Sequence, residues 1–192
     1  MKNLSEYIMV MDDVLPEDLC ESLIKKFESC KDRVLTENYW ENGQARRFEE
    51  INITKHQSFK EESETFYELT KKVYSFYREK CQINYFPSQI GYEAARMKRY
   101  EVNQNDRFDW HTDVGDYASA KRFLVMFYYL NDVAVGGETV FNDVADQPET
   151  EIKISPKRGR IVVFPPMWMY PHKGCMPISN RKYIISTYCH YM

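Results

Sequence analysis

After Cys81 the spacing of apolar residues changes, and this change limits what the chain can fold into. The segments become short and rich in aromatic and β-branched residues, and turn-forming residues separate them. Candidate strands span residues 92–102, 107–113, 121–131, 138–141, 151–154, 160–164 and 181–191. The breaks hold Asn103-Gln104-Asn105-Asp106, Gly115-Asp116, Gly136-Gly137, Pro156 with Gly159, and residues 171–180. Such punctuation predicts an all-β sandwich or barrel. Upstream, residues 7–11 and 47–54 read as strands. Residues 16–30 read as a helix: Pro16 suits a first turn, and Leu19, Leu23, Ile24 and Phe27 share a face. A longer helix is expected over residues 59–81, with Phe66, Leu69, Val73, Phe76 and Tyr77 on one stripe. The expected architecture is therefore two supporting helices followed by a β-roll.

The 192 residues suit one domain, since domains usually run about 100–200 residues. Residues 1–90 form a helical support region with flanking strands, and residues 91–192 the β core. No repeat, low-complexity tract or linker interrupts them. A formal net charge of −3 exerts no overall pull on phosphate backbones, so no nucleic-acid partner is expected. No run approaches the roughly 20 apolar residues of a membrane span. The N-terminal segment carries acids where a signal peptide would be apolar. The five cysteines are odd in number and form no C-x-x-C pair, which fits reduced thiols and a cytoplasmic location.

His111-Thr112-Asp113 offers an imidazole and a carboxylate at i and i+2, the same face of a strand. Alone, this pair also fits a surface His beside a solvated Asp. A second histidine must come from His56, His172 or His190. His172 lies between two candidate strands, in a segment rich in proline and aromatic residues. Two imidazoles and one carboxylate leave three open positions on an octahedral metal, the facial arrangement of non-haem iron(II) oxygenases. Zinc hydrolysis is the rival chemistry. A dicarboxylic co-substrate would need a buried cation. Strand alternation lets only one of Arg181 and Lys182 point inwards, without saying which.

The motifs in residues 100–190 resemble the prolyl 4-hydroxylase type of Fe(II)/2-oxoglutarate dioxygenases. They are His111-Thr112-Asp113, Tyr128-Tyr129-Leu130-Asn131-Asp132, Gly136-Gly137-Glu138-Thr139-Val140-Phe141, Gly159-Arg160 with Phe164, His172, and Lys182 ten positions later. The resemblance implies a double-stranded β-helix, or jelly roll, with Fe(II) held by His111, Asp113 and His172. It implies 2-oxoglutarate as co-substrate, with Lys182 and Tyr129 on its distal carboxylate and Tyr100 and Thr139 lining its pocket. It settles the open choice for Lys182 over Arg181. Ascorbate is a further expected cofactor. The implied reaction hydroxylates a C–H bond of a prolyl residue in a peptide or protein, releasing succinate and CO2. A free amino acid or small metabolite is the alternative substrate, and a non-catalytic metal-binding jelly roll the alternative class. The chain departs from the pattern at residues 103–106, which lack glycine, and at Tyr188, where tryptophan is frequent. These departures bear on the prime substrate and leave the metal untouched.

The other candidates take plainer readings. His56 belongs to the surface, His190 to surface or packing, and Cys175 is a passive thiol. Trp110, Phe108, Phe123, Phe127 and Phe164 are mostly core, because aromatics supply much of any core. Arg46-Arg47 and Lys157-Arg158 read as solvated charges, though one pair could border a groove. Tyr39-Trp40 is either a substrate lid or a satellite contact.

Overall fold

The computed structural model describes residues 3–102, 105–142 and 151–192. Of the turn expected at residues 103–106, Asn103 and Gln104 lie outside the described residues. The helices are α1 (Glu17–Ser29) and α2 (Lys60–Lys80). The strands are β1 (Met9–Met11), β2 (Val34–Tyr39), β3 (Ala45–Asn52), β4 (Ile90–Tyr92), β5 (Arg96–Tyr100) and β6 (Phe108–His111). They continue as β7 (Arg122–Tyr129), β8 (Thr139–Phe141), β9 (Ile152–Ile154), β10 (Ile161–Phe164), β11 (His172–Gly174) and β12 (Lys182–Tyr191).

Neighbouring strands follow the order β1-β10-β7-β12-β5-β3-β6-β11-β8-β9, with β2 beside β3 and β4 beside β12. Every pairing is antiparallel. Between β3 and β6 the ladder narrows to one bridge, Arg46 opposite Phe108. There the sheet folds over, and a broad layer ending at β3 faces a smaller layer of β6, β11, β8 and β9. This is the expected jelly roll.

Alternation along the central strands divides the interior in two. Leu124, Met126 and Tyr128 of β7 pack against the helices, as do Tyr183, Ile185 and Cys189 of β12. Val125, Phe127 and Tyr129 of β7 face the other way, with Ile184 and Tyr188 of β12, and meet Phe141 and Ile154 of the smaller layer. Both faces of the broad layer are thus buried, one under α1 and α2 and one inside the roll. A one-residue slip would exchange the two sets of side chains.

The helices form close to the expected limits, with Pro16 as the residue before α1. Leu19, Leu23 and Phe27 are its buried stripe, and Ile24 lies at the edge. In α2 the buried stripe is Phe66, Thr70, Val73 and Tyr77, while the expected Phe76 is exposed. Thr70 can occupy a core position because its hydroxyl donates to the Phe66 carbonyl at 2.8 Å and lies 2.8 Å from Tyr128 Oη. A side-chain bond to the preceding turn satisfies such a hydroxyl inside a helix.

Two strands were not legible in the sequence. β2 is an exposed hairpin partner of β3 carrying polar residues, as edge strands commonly do. β11 falls inside the expected break at residues 171–180. It is three residues long and exists because β6 and β8 flank it on both sides. The expected strand over residues 92–102 shortens to β5, with β4 lying before it and meeting the expected range only at Tyr92, and the one over residues 7–11 begins with a 3-10 turn, Leu4–Tyr7.

The joint between α2 and the broad layer rests on Phe66, fully buried and edge-on to Tyr128 with ring centroids 4.7 Å apart. Phe66→Ala is expected to cost about 3–5 kcal/mol, read as a lowered urea midpoint with little change in slope.

Candidate active site

His111 ends β6, His172 begins β11, and these residues are direct partners across the ladder. That pairing sets their ring centroids 4.2 Å apart. Each ring has its Nδ1 against a backbone carbonyl: His111 meets Asp109 O at 2.8 Å and His172 meets Tyr170 O at 3.1 Å. Donation from Nδ1–H leaves both Nε2 lone pairs free, the form that binds metals. Asp113 lies two residues past His111, just beyond the strand. Its Oδ2 is 3.4 Å from His172 Nε2 and its Oδ1 is 3.9 Å from His111 Nε2. One ligand atom from each of the three residues falls within 4.8 Å of the others.

The surroundings suit metal binding. Burial, aided by the adjacent His172 ring, pushes the His111 imidazole down to about 3, so it is neutral at physiological pH. Burial alone would raise the Asp113 carboxyl, but His172 and the Tyr188 hydroxyl outweigh it and hold the carboxyl below its ordinary value. Tyr188 Oη donates to Asp113 Oδ1 at 2.8 Å, so this departure from the family pattern, expected to leave the metal untouched, reaches one of its candidate ligands. Arg122 donates to the Asp113 backbone carbonyl at 2.9 Å and lies 3.9 Å over the Tyr188 ring. Glu93 holds Arg122 through two hydrogen bonds of 2.8 and 2.9 Å. Phe108 stacks on His111. The donor set of two imidazoles, each with its Nε2 turned to the same point, and a carboxylate fits a divalent non-haem iron with an open face.

The other expected residues gather across the roll from the trio, where the Lys182 ammonium lies beside Gly174 of β11. Lys182 stands opposite Tyr100 in the β12–β5 ladder. It is 1% exposed, and its Nζ donates to Gly137 O at 3.0 Å beside the Tyr100 ring, 4.3 Å from the centroid. Burial pushes this ammonium down to about 8. Gly137 takes φ +75° to present that carbonyl, a conformation that favours glycine. Tyr129 Oη lies 2.6 Å from Thr139 Oγ1. Arg181, one residue away from Lys182, faces outward and pairs with Glu101 at 2.8 Å.

The trio opens into a cavity of about 880 Å³, also lined by Tyr100 and Thr139. Lys182 and Tyr129 lie behind its wall. Phe108, Trp110 and Phe127, expected mostly as core, line it too, and Trp40 of the β2–β3 hairpin stands at its side. Phe123 and Phe164 pack in the two cores as expected. His190 packs its ring over Gly91. His56 precedes a 3-10 turn, with Asp32 and Cys30 3.1 and 3.5 Å from its Nε2. Cys175 stands apart from the trio.

Arg46, from a pair read as solvated or groove-bordering charges, lines the cavity, and so do Glu50, Arg96 and Lys98, which sequence reasoning missed. The signal was present in Arg96-Met97-Lys98-Arg99-Tyr100. Period-two alternation puts Arg96, Lys98 and Tyr100 on one face, with Met97 on the helix side.

No curated protein sequence matches this one. Several solved structures share the fold. A prolyl hydroxylase from Trichoplax adhaerens, solved with a hypoxia inducible factor peptide, superposes with a TM-score of 0.71 at 14% identity, over 97% of this chain and 84% of that one. A viral collagen prolyl hydroxylase from Paramecium Bursaria Chlorella virus-1, solved with 2-oxoglutarate, gives 0.63 at 22% identity, over 97% of each chain. A Pseudomonas putida prolyl-4-hydroxylase gives 0.65 at 16% identity, over 97% and 94%. The family profile of the 2OG-Fe(II) oxygenase superfamily matches residues 95–190, the stretch holding all three residues of the trio and Lys182. The chain belongs to the 2OG-Fe(II) oxygenase superfamily and is a 2-oxoglutarate-dependent dioxygenase.

Proposed function

We propose that this dioxygenase hydroxylates a C–H bond of a prolyl residue in a peptide or protein, with iron held by His111, Asp113 and His172. The observation that carries this reading is the convergence of these three ligand atoms in a roll that also buries Lys182 beside β11. When bound, Fe(II) and 2-oxoglutarate supply the oxidation: one atom of dioxygen goes to succinate, the other to the substrate hydroxyl, and CO2 leaves.

The chain's own residues position the reactants. Lys182 takes the distal carboxylate of 2-oxoglutarate in place of the Gly137 carbonyl, a charge-assisted bond that is strong in a dry site. Tyr129 adds a hydroxyl to the same carboxylate, and Tyr100 and Thr139 line the co-substrate's space. Tyr188 holds Asp113 in orientation. The cavity beside Trp40 admits the prime substrate. Prolyl hydroxylation draws its support from the solved relatives, whose names describe prolyl hydroxylases acting in peptide and collagen contexts.

One domain over residues 1–192, a cytoplasmic location and ascorbate as a further cofactor complete the proposal. All five cysteines are free thiols, in keeping with a reducing compartment. No described helix is long and apolar enough to cross a membrane. A second reading, a free amino acid or small metabolite as substrate, is favoured by the charged side chains on the cavity wall.

Iron-loaded protein given oxygen, 2-oxoglutarate and proline-containing peptides or small acceptors is expected to release succinate and add one oxygen atom to the acceptor, read by mass spectrometry. Absence of both products with every acceptor would sink the reading. His111→Ala and Asp113→Ala are expected to lose bound iron and succinate formation together. Lys182→Ala should raise the KM for 2-oxoglutarate about ten- to hundredfold; an unchanged KM would remove Lys182 from the co-substrate site. Tyr188→Phe should weaken iron about tenfold or more, measured by competition with a chelator.

A further inference from the structure

Buried polar groups are almost always hydrogen-bonded, so a group of unsatisfied ones in one place points to a missing ligand. Arg46 Nε, Glu50 Oε2 and Ser186 Oγ are buried with no partner among the described residues, and all three residues line the cavity. Between them lies Lys98, 7% exposed. Its Nζ sits 4.9 Å from the Phe48 ring centroid, and no hydrogen-bond acceptor meets it among the described residues. A buried ammonium without a partner carries a large desolvation penalty.

The register explains the grouping. Lys98 is opposite Glu50 on β3 and Ile184 on β12, and Arg96 is opposite Asn52 and Ser186. Alternation sends Arg96, Lys98, Glu50 and Ser186 to the cavity face. Arg96 reaches Glu50 Oε1 at 3.2 Å and is the most exposed of them, so it marks the outer end. Lys98 is the inner member, close enough to Asp113 for their charges to interact. The Lys182 ammonium occupies a different place, against Gly137 and Tyr100, so the distal carboxylate of the co-substrate leaves this cluster unsatisfied.

The unsatisfied groups define their complement. Lys98 Nζ, Arg46 Nε–H and the Ser186 hydroxyl are donors, and Glu50 Oε2 is an acceptor. With Asp113 committed to the metal, three cations, Arg46, Arg96 and Lys98, face one anion, Glu50. An anion with an N–H donor nearby answers both requirements. Resting on the reading of the trio and Lys182 as the iron and 2-oxoglutarate centre, we propose that this cluster is the prime-substrate subsite, and that the substrate presents a carboxylate beside an amine or amide N–H. An α-amino acid has this chemistry, either free or as the last residue of a peptide. Lys98 and Arg46 hold the carboxylate, Glu50 accepts from the N–H, and the C–H bonds of the side chain are turned towards the metal.

The test uses paired probes with the iron- and 2-oxoglutarate-loaded protein. The common free amino acids are compared with their carboxamides, and peptides ending in residues other than proline, whose last amide carries an N–H, with their C-terminally amidated forms. Binding is read anaerobically by calorimetry, and turnover by succinate release. A free carboxylate is expected to bind about ten- to hundredfold more tightly than its amide. Which probe set shows the preference tells a free amino acid from a chain end. In Lys98→Met the acid-to-amide ratio should fall towards one, and Lys98→Arg should recover part of it. The proposal is overturned if acid and amide bind wild type equally, if no carboxylate probe binds, or if Lys98→Met keeps the ratio and weakens 2-oxoglutarate instead. Failure of the underlying reading is distinct: the wild type would then neither hold iron nor turn over 2-oxoglutarate with any acceptor.

Discussion

Everything in this molecule depends on a broad β layer buried on both faces. β7, β12 and β5 stand at its centre, and each sends alternate side chains to opposite sides. On β12, Tyr183, Ile185 and Cys189 meet the helices, while Lys182, Ile184 and Tyr188 turn into the roll. The apolar packing of α1 and α2 therefore does more than stabilise. It holds the register, because a slip by one residue would bury Arg181 and expel Lys182. A ladder with one wet face would resist that slip less.

The second constraint is the single bridge at Arg46 and Phe108, where the sheet turns over on itself. The turn brings the small layer, with His111 and His172, above the inner face of the broad one. Low-dielectric surroundings then govern the chemistry of the charged groups. Burial keeps the His111 ring neutral, and His172 with the Tyr188 hydroxyl keeps Asp113 ionised despite burial. Neutral imidazole and ionised carboxylate are the ligand forms a divalent metal needs. The same burial makes the ammonium groups of Lys98 and Lys182 costly to leave unpaired, so each is a place for a carboxylate.

The β2–β3 hairpin links the support region to the site. Its outer strand is polar and exposed, but β3 belongs to the broad layer and carries Arg46, Phe48 and Glu50 to the cavity side. A division of the chain at residue 90 into support and core therefore describes the order of elements better than the ownership of the pocket. The aromatic residues behave likewise. Phe123 and Phe164 pack as core, whereas Phe108, Trp110 and Phe127 form cavity wall. Composition alone cannot separate these roles, since both surfaces are apolar.

What the sequence determined was local or evenly periodic. The helices, most strands, the His111-x-Asp113 pair and the ten-residue interval from His172 to Lys182 are all readable from neighbours along the chain. The tertiary structure decided what depends on partners from distant segments. β11 is a strand only because β6 and β8 flank it, and His172 meets His111 only through that pairing. Thr70 is buried because Tyr128 answers its hydroxyl. Tyr188 becomes the support of Asp113, and Lys98 joins Glu50, Arg46 and Ser186, because ladder register places them side by side. A single sequence carries the alternation of each strand, but not which strand lies next to which.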